Sequence, residues 1–586
     1  MNTHNESAVL DYTDWQQIPW NQLEEYVVKL QQRIYQAETY GEKRKVRDLQ
    51  RILLNSKANL LISIRRVTQF NAGKRMAGVD GYLSLTPEER VKLYYEMKKE
   101  KIKLHNPKSA YRTYITKKNG KLGPLEILII KDRIYQSIVK NALEPQWEAK
   151  FEPTSYGFRP KRNEHDAIER IYTSLAPGKK QWIFEGTFKG CFDRLSHDYI
   201  LEQLGNFPAK ELIAKWLKAG FIDNKVFNVT MEGIPQGGII SPLLVNIALH
   251  GMEEALGIKY YKISHGIRKG KQLYGYENQT TYTMSRYADY FVVMCETKEQ
   301  AEKVYELLKV YLEKRGLELP SEKTKVINIW EGFDFLGFTI RRFKTQNSSK
   351  LICKPSNESI EKCKHKLKDI FKQMTGTNVE QLINRVNPVI TGYANYWSSV
   401  VSKEIYSKMD NYVWNRTVKF LKRLHPKKSW KWVVSQYFKP DKTGQSKSNW
   451  ILTDPITGNQ LVKMAWTPIK RHAMVQYNFS PYDKNKKAYF EIRDKKEFDR
   501  NNVAYRRKLA KRQNYVCPFC GKSLAANAKS CETHHRIPRY HGGTGKYKNL
   551  WLVHTACHID YHRVYPAKGK LSTEIQINDY IGLRRR

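Results

Sequence analysis

Cys517-Pro518-Phe519-Cys520 and His554-Thr555-Ala556-Cys557 read as two halves of one metal-ligand pattern. Two Cys separated by two residues aim their thiolates at one ion, and a tetrahedral structural Zn²⁺ needs two further ligands. His554 and Cys557 repeat that spacing, beginning 34 residues after Cys520, so the four form a candidate zinc set. A domain this small has little apolar core to hold it otherwise. Around them lie His534-His535, Gly542-Gly543, Asn549-Leu550, His558 and His562. His558 and His562 are four apart and share a helical face. With His534 they could surround a divalent ion, Mg²⁺ or similar, that holds a phosphate and its leaving oxygen. His535, on the other face of a strand, would then deprotonate an attacking water, with Asn549 holding its imidazole. The plainer alternative is spare surface histidines; against it, six of the fifteen His lie after position 504.

Further blocks upstream have the composition of a nucleotide and template site. GIPQGGIISPLLVNIAL (233–249) sets a Gly-rich turn, with Gln236 in it, before a helix; such a turn can lay backbone against a nucleotide and a template strand. KDRIYQ (131–136) offers Lys131 and Arg133 to a triphosphate, and LPSEKTKV (319–326) offers Lys323. RYADYFVVMC (286–295) reads as strand, turn, strand with Asp289 at the turn.

These blocks must be positioned by several domains, because 586 residues exceed one hydrophobic core. Residues 1–80 are a helical extension broken by GKRMAGVDG. Residues 81–345 mix strands (LEILII, KQWIFEG, YADYFVVMC, KVINIW) and helices without a regular βαβ period, which points to α+β. Residues 346–440 are helical and aromatic. Residues 441–505 read as a polar, basic, DNA-binding linker region, and 506–586 as the metal domain. Formal net charge is +44, from 102 Lys and Arg against 58 Asp and Glu, spread along the chain. That excess calls for a polyanion, and a long structured nucleic acid is the natural one. No apolar run is long enough to span a membrane, and the first residues lack a secretory pattern. Eight Cys, four of them scattered, fit a reducing compartment and hence the cytoplasm.

Residues 517–562 resemble the HNH nucleases, through CxxC, HH, GG, NL and HxxCHxxxH. Nearly the whole chain resembles the group II intron-encoded proteins, through AGVDG (77–81), SYGFRP (155–160), GIPQGG (233–238), FDFLGF (333–338) and TGYANYW (391–397). The resemblance implies a right-hand polymerase-like fingers and palm, a helical thumb or maturase region, and a small zinc-containing ββα-metal nuclease domain. It implies binding of intron RNA, assistance to splicing, nicking of target double-stranded DNA and copying of RNA into DNA, all within a ribonucleoprotein. In that family His535 would be the general base, Asn549 its support, and His534, His558 and His562 the metal side.

Two departures bear on copying. The family's turn reads Tyr-Ala-Asp-Asp, and here it reads Tyr287-Ala288-Asp289-Tyr290. The family's Asp-Ile-Lys-Gly-x-Phe-Asp reads Thr187-Phe188-Lys189-Gly190-Cys191-Phe192-Asp193. Two-metal polymerisation needs carboxylates from both strands, and a hydroxyl does not replace one. The expected result is a degenerate polymerase site on a retained scaffold. Two other readings stand beside it: an active polymerase that recruits Glu185 or Asp193, and a purely RNA-binding splicing factor.

Overall fold

The computed structural model describes residues 14–15, 17–116, 122–268, 271–320, 322, 324–527 and 530–565. Three apolar cores account for most of the buried side chains described. Helices Trp20–Thr39, Lys43–Leu54 and Lys57–Arg65 start the chain. Val27, Leu30, Ile34 and Ala37 recur at helical spacing and are buried with Ile134, Ile138 and Ala142 of helix Ile130–Glu148. Asn59 pins this bundle, donating to the Leu53 and Ile138 carbonyls while accepting from Asn141 Nδ2 at 2.7 Å.

The palm is a four-stranded antiparallel sheet in the order Lys325–Asn328, Trp182–Thr187, Tyr290–Cys295, Thr283–Tyr287. Its two faces feed different cores: Phe184 and Val293 join the N-terminal bundle, whereas Ile183 and Val292 join the thumb. Alternation along each strand therefore ties the first core to the second. Residues Ala110–Thr116, Leu122–Ile127, Phe221–Asp223 and Val226–Asn228 form a separate four-stranded fingers sheet. Beyond a three-stranded sheet (333–355), helices Asn357–Gln373, Val379–Trp397, Lys403–Leu424 and Trp430–Tyr437 build the thumb.

The segment read as a linker is packed against the body of the protein. Ile451 and Leu452 are buried, and Leu452, Leu461 and Met464 complete the thumb core. Asp410 accepts from the Met464 and Ala465 amides at 2.7 and 3.1 Å. Asn387 brackets the segment beside them through Gln460 O and Val462 N. The polar composition misled because these contacts run through backbone amides, which composition does not record. The next stretch runs back along the fingers and palm: Arg162 donates to Tyr477 O at 2.7 Å, and Tyr482 OH to Glu144 at 2.7 Å. Helix Lys487–Asn501 then carries Asp494 to Lys161 at 2.8 Å.

The terminal domain is two antiparallel strands, Cys531–His535 and Leu550–His554, followed by helix Thr555–Val564. It docks on the N-terminal helices. Gln69 Nε2 donates to both Asp560 carboxylate oxygens at 3.0 Å, Asn21 Nδ2 to Cys520 O at 3.0 Å, and Lys522 pairs with Glu24.

Asp166 is the fastener of the returning stretch. It is fully buried, caps helix Glu164–Leu175, and accepts from His472 Nε2 and the Val475 amide, each at 2.9 Å. Burial pushes its carboxyl up, but His472, Val475 and Arg493 outweigh that and hold it below the usual carboxylate range. Asp166→Ala leaves His472 and Val475 unpaired, at about 1–3 kcal/mol for each buried donor. Amide exchange over 470–486 is expected to quicken at least tenfold while the thumb helices stay protected. Unchanged exchange there would show that the stretch is held elsewhere.

Candidate functional site

The terminal hairpin and helix bring the Cys/His residues into two clusters. Ligand atoms of Cys517, Cys520, His554 and Cys557 all lie within 4.8 Å of one another. His554 Nδ1 stands 3.3 Å from Cys520 Sγ and 3.9 Å from Cys557 Sγ. Tetrahedral bonds of about 2.0–2.3 Å give edges of roughly 3.3–3.8 Å, so the set fits one ion. His554 Nε2 meets Ser523 O at 3.2 Å, which keeps the proton on Nε2 and frees Nδ1 for the metal. Hydrogen bonds with Cys520 and Cys557 pull the Cys517 thiol well below its usual value, and those with Cys517 and Cys520 push Cys557 up. We read this pair as one negative charge shared among crowded sulfurs, which an ion would stabilise.

The second cluster is His534, His558 and His562, again within 4.8 Å of one another. His534 is 1% exposed, and both of its ring nitrogens are buried without a hydrogen-bond partner. Burial, then His558, His562 and His535, push its pKa down to about 3, so the imidazole is neutral, the form that ligates. His558 Nδ1 meets Glu532 Oε2 at 2.7 Å and His562 Nδ1 meets Tyr565 O at 3.2 Å. Both contacts take the Nδ1 proton and leave the Nε2 lone pairs, 3.1 Å apart, facing each other. A cation between these two nitrogens and His534 would satisfy all three.

His535 follows His534 on the strand and faces the other way. Arg539 Nε donates to its Nε2 at 3.2 Å, fixing the tautomer whose Nε2 can accept a proton. Burial, then Arg539 and His558, hold its pKa below the ordinary imidazole value. Asn549 sits elsewhere than the sequence implied. Its side chain accepts from the Ile537 amide at 2.8 Å and donates to the Ile537 and Thr544 carbonyls at 3.0 and 2.9 Å. It braces the loop that follows His535 and does not touch the imidazole. Gly543 belongs to the same brace: a Cβ there would lie 1.8 Å from Ile537 O. Glu532 and Arg539 were missed by sequence reasoning, although Glu532 lies two residues before His534 and so on the same strand face.

In the palm, the register pairs Thr187 directly with Tyr290, and Phe188 N donates to Asp289 O at 3.3 Å. Both departures from the family pattern therefore sit at one end of the sheet, beside Asp289. Tyr290 is 50% exposed, and burial of its inner half together with Asp289 raises its hydroxyl. Glu185 lies one strand repeat away, about 6–7 Å, between Val292 and Lys325. Burial raises its carboxyl despite Lys325. Asp193 stands on the short helix Cys191–Arg194 and accepts from Gln236 Nε2 at 2.9 Å.

The residues expected at a triphosphate are committed to the protein. Arg133 is buried and spends its guanidinium on the Leu128, Gly73 and Met76 carbonyls. Its geometry is that of a clamp on the 73–76 turn and not of a phosphate contact. Lys131 pairs with Glu100 at 2.9 Å and Glu96 at 3.7 Å. Lys323 lies outside the described residues.

The terminal core contains few buried apolar side chains, so the Cys/His set carries much of its order. Cys520→Ala is expected to lose one tightly held ion per chain by elemental analysis. Amide exchange should rise over 512–565 and stay unchanged in palm and thumb. A full ion count with a protected domain would count against the set.

Comparison with known proteins agrees with this layout. Residues 15–97 match the N-terminal domain of reverse transcriptase, 115–340 reverse transcriptase (RNA-dependent DNA polymerase), 360–438 the group II intron maturase-specific domain, and 517–563 HNH endonuclease. Protein YkfC of Escherichia coli is 33% identical over 322 residues, 51% of this chain and 84% of that protein. The group II intron-encoded protein LtrA of Lactococcus lactis is 32% identical over 303 residues, 43% of this chain and half of LtrA. Maturase-like protein 1 of Euglena gracilis is 27% identical over 403 residues, 68% of this chain and 76% of that protein. With polymerase, maturase and nuclease regions in this order on one chain, it belongs to the group II intron-encoded proteins.

Proposed function

We propose that this protein is a maturase that binds group II intron RNA, assists its splicing and nicks one strand of target double-stranded DNA, working as a cytoplasmic ribonucleoprotein whose polymerase site is degenerate. The observation that carries the nicking reading is the buried, unpaired imidazole of His534 facing His558 and His562. The Cys517, Cys520, His554 and Cys557 set would hold a structural Zn²⁺, and the three histidines, an all-nitrogen set that suits a transition-metal dication better than the Mg²⁺ expected from the sequence, would hold the second ion. When bound, that second ion supplies positive charge to the scissile phosphate and its leaving oxygen. Glu532 and Tyr565 O hold two of the ligating rings in place. His535 Nε2 takes the proton of the attacking water once Arg539, which occupies that lone pair in the structure, has released it. Asn549 sets the loop on which Arg539 stands.

The degenerate-palm reading rests on the Thr187–Tyr290 pairing. Asp289 alone does not balance two divalent cations and an incoming triphosphate. Glu185 is one strand repeat off and flanked by Lys325, and Asp193 is engaged by Gln236.

His535→Ala is expected to lower nicking of a DNA target by about 10²–10⁴-fold, with intron RNA binding unchanged. Undiminished cutting would remove His535 from the mechanism. On a primed RNA template the unmodified chain is expected to give no extension above background, and Thr187→Asp with Tyr290→Asp to restore some. Robust extension that vanishes in Asp289→Ala would overturn the degenerate reading and turn attention to Glu185.

A further inference from the structure

The thumb contains a cavity of about 520 Å³ between the C-terminal ends of helices Asn357–Gln373 and Lys403–Leu424. Its size falls in the range of small-ligand pockets. Lys368 and Lys372 line it from the first helix, and Arg416, Lys419 and Arg423 from the second. Spacings of three and four residues put each group on one helical face. None of the five has a carboxylate within ion-pair distance among the described residues, whereas other lysines on the same helices are paired: Lys362 with Glu358, Lys364 with Glu361, Lys408 with Glu404. Of the eight cations on these two helices without such a partner among the described residues, five line the cavity, while Lys366, Lys403 and Lys422 lie outside it. Two helix C-termini face the same opening, and each subtracts about half a charge. Five cations outweigh that, so the rim remains a site for an anion.

The interior is of a different character. Phe371 and Phe420, members of the thumb core that are 7% and 6% exposed, reach its wall with their rings 6.5 Å apart and nearly perpendicular, beside half-buried Leu424. A cationic rim over an aromatic and aliphatic wall matches a ligand with a phosphate at one end and a flat apolar face at the other. An inorganic anion would leave the wall unused, and an apolar ligand would leave the cations unneutralised.

We propose that this cavity receives one unstacked nucleotide of the RNA, bulged out of a helix, with its phosphates on the lysine and arginine rim and its base against Phe371 and Phe420. The proposal rests on the RNA-binding reading above and names where that RNA is gripped by shape. Recognition of RNA by splayed-out bases follows from the A-form helix, whose deep groove hides its base edges. A stacked base adds enough affinity to be seen above the general charge attraction.

The test uses the full chain and two RNA hairpins of equal length, one with a single bulged nucleotide and one fully paired, in filter binding at matched salt. The bulged hairpin is expected to bind about tenfold tighter, within the range of one stacked base. Lys419→Glu and Arg423→Glu should each erase that preference. Lys422→Glu makes the same charge change on the same helix outside the cavity; it should weaken both hairpins alike and keep the preference. Phe420→Leu leaves the charge intact and should reduce the preference several-fold. Equal binding of both hairpins by the unmodified chain, or a preference that survives Lys419→Glu and Arg423→Glu, overturns the proposal and leaves the RNA-binding reading standing. Failure to bind either hairpin or an intron RNA overturns both.

Discussion

A single buried cation holds the centre of this protein. Arg286 is fully enclosed where the last palm hairpin meets the body, and its guanidinium reaches Ala288 O, Asn246 Oδ1 and, at 3.7 Å, the Glu152 carboxylate. Nη1 makes both hydrogen bonds, while Nε and Nη2 are buried without one, so the charge is held chiefly by Nη1 and the Glu152 carboxylate, and each partner is fixed in turn. Asn246 also donates to Gly157 O, and Tyr156 N donates to Arg286 O. The loop around Gly157 therefore presses against the turn, where a Cβ would stand 2.3 Å from the Ala288 amide nitrogen. Three separate sequence blocks, around 156, 246 and 288, meet on one side chain.

That arrangement explains how the palm can lose carboxylates and keep its shape. The residues that hold the turn lie beneath it, on the Arg286 side. Thr187 and Tyr290 lie at the end of the sheet, where Tyr290 is half exposed. Polymerase chemistry and polymerase fold depend on different side chains here. Changing the first set leaves the buried one intact.

Legibility in the sequence followed the same division. Residues with strict spacing were readable: two CxxC-like halves, paired His four apart on a helix, a strand–turn–strand around Asp289. Residues whose role is to orient others were not. Asn549 looked like a partner for an imidazole and is instead bonded to backbone groups of a loop. Arg133 looked like a phosphate contact and is consumed by three carbonyls. Glu532 and Arg539 drew no notice because neither belongs to a spaced motif. The stretch from 441 to 505 read as a linker because its attachment to Asp410, Asn387 and Asp166 is made through amides and a few buried apolar residues. Spacing reveals ligands, whereas contacts to backbone from afar stay hidden until the chain is folded.

The changed palm also alters what the cleft can hold. A phosphate about 6 Å from a carboxylate is repelled by roughly 3 kcal/mol at an effective dielectric near 20. In a working polymerase, divalent cations cancel that repulsion, and binding of the polyanion is tied to binding of metal. With Thr187 and Tyr290 in place of two carboxylates, the repulsion falls to that of Asp289 and its more distant neighbours. Less charge then opposes a phosphate placed against that end of the sheet. In a chain of net charge +44, such a cleft is less unfavourable to a polyanion than a metal-free carboxylate triad would be. The residues grouped for metal lie in the terminal domain, as one Cys/His set and one His set.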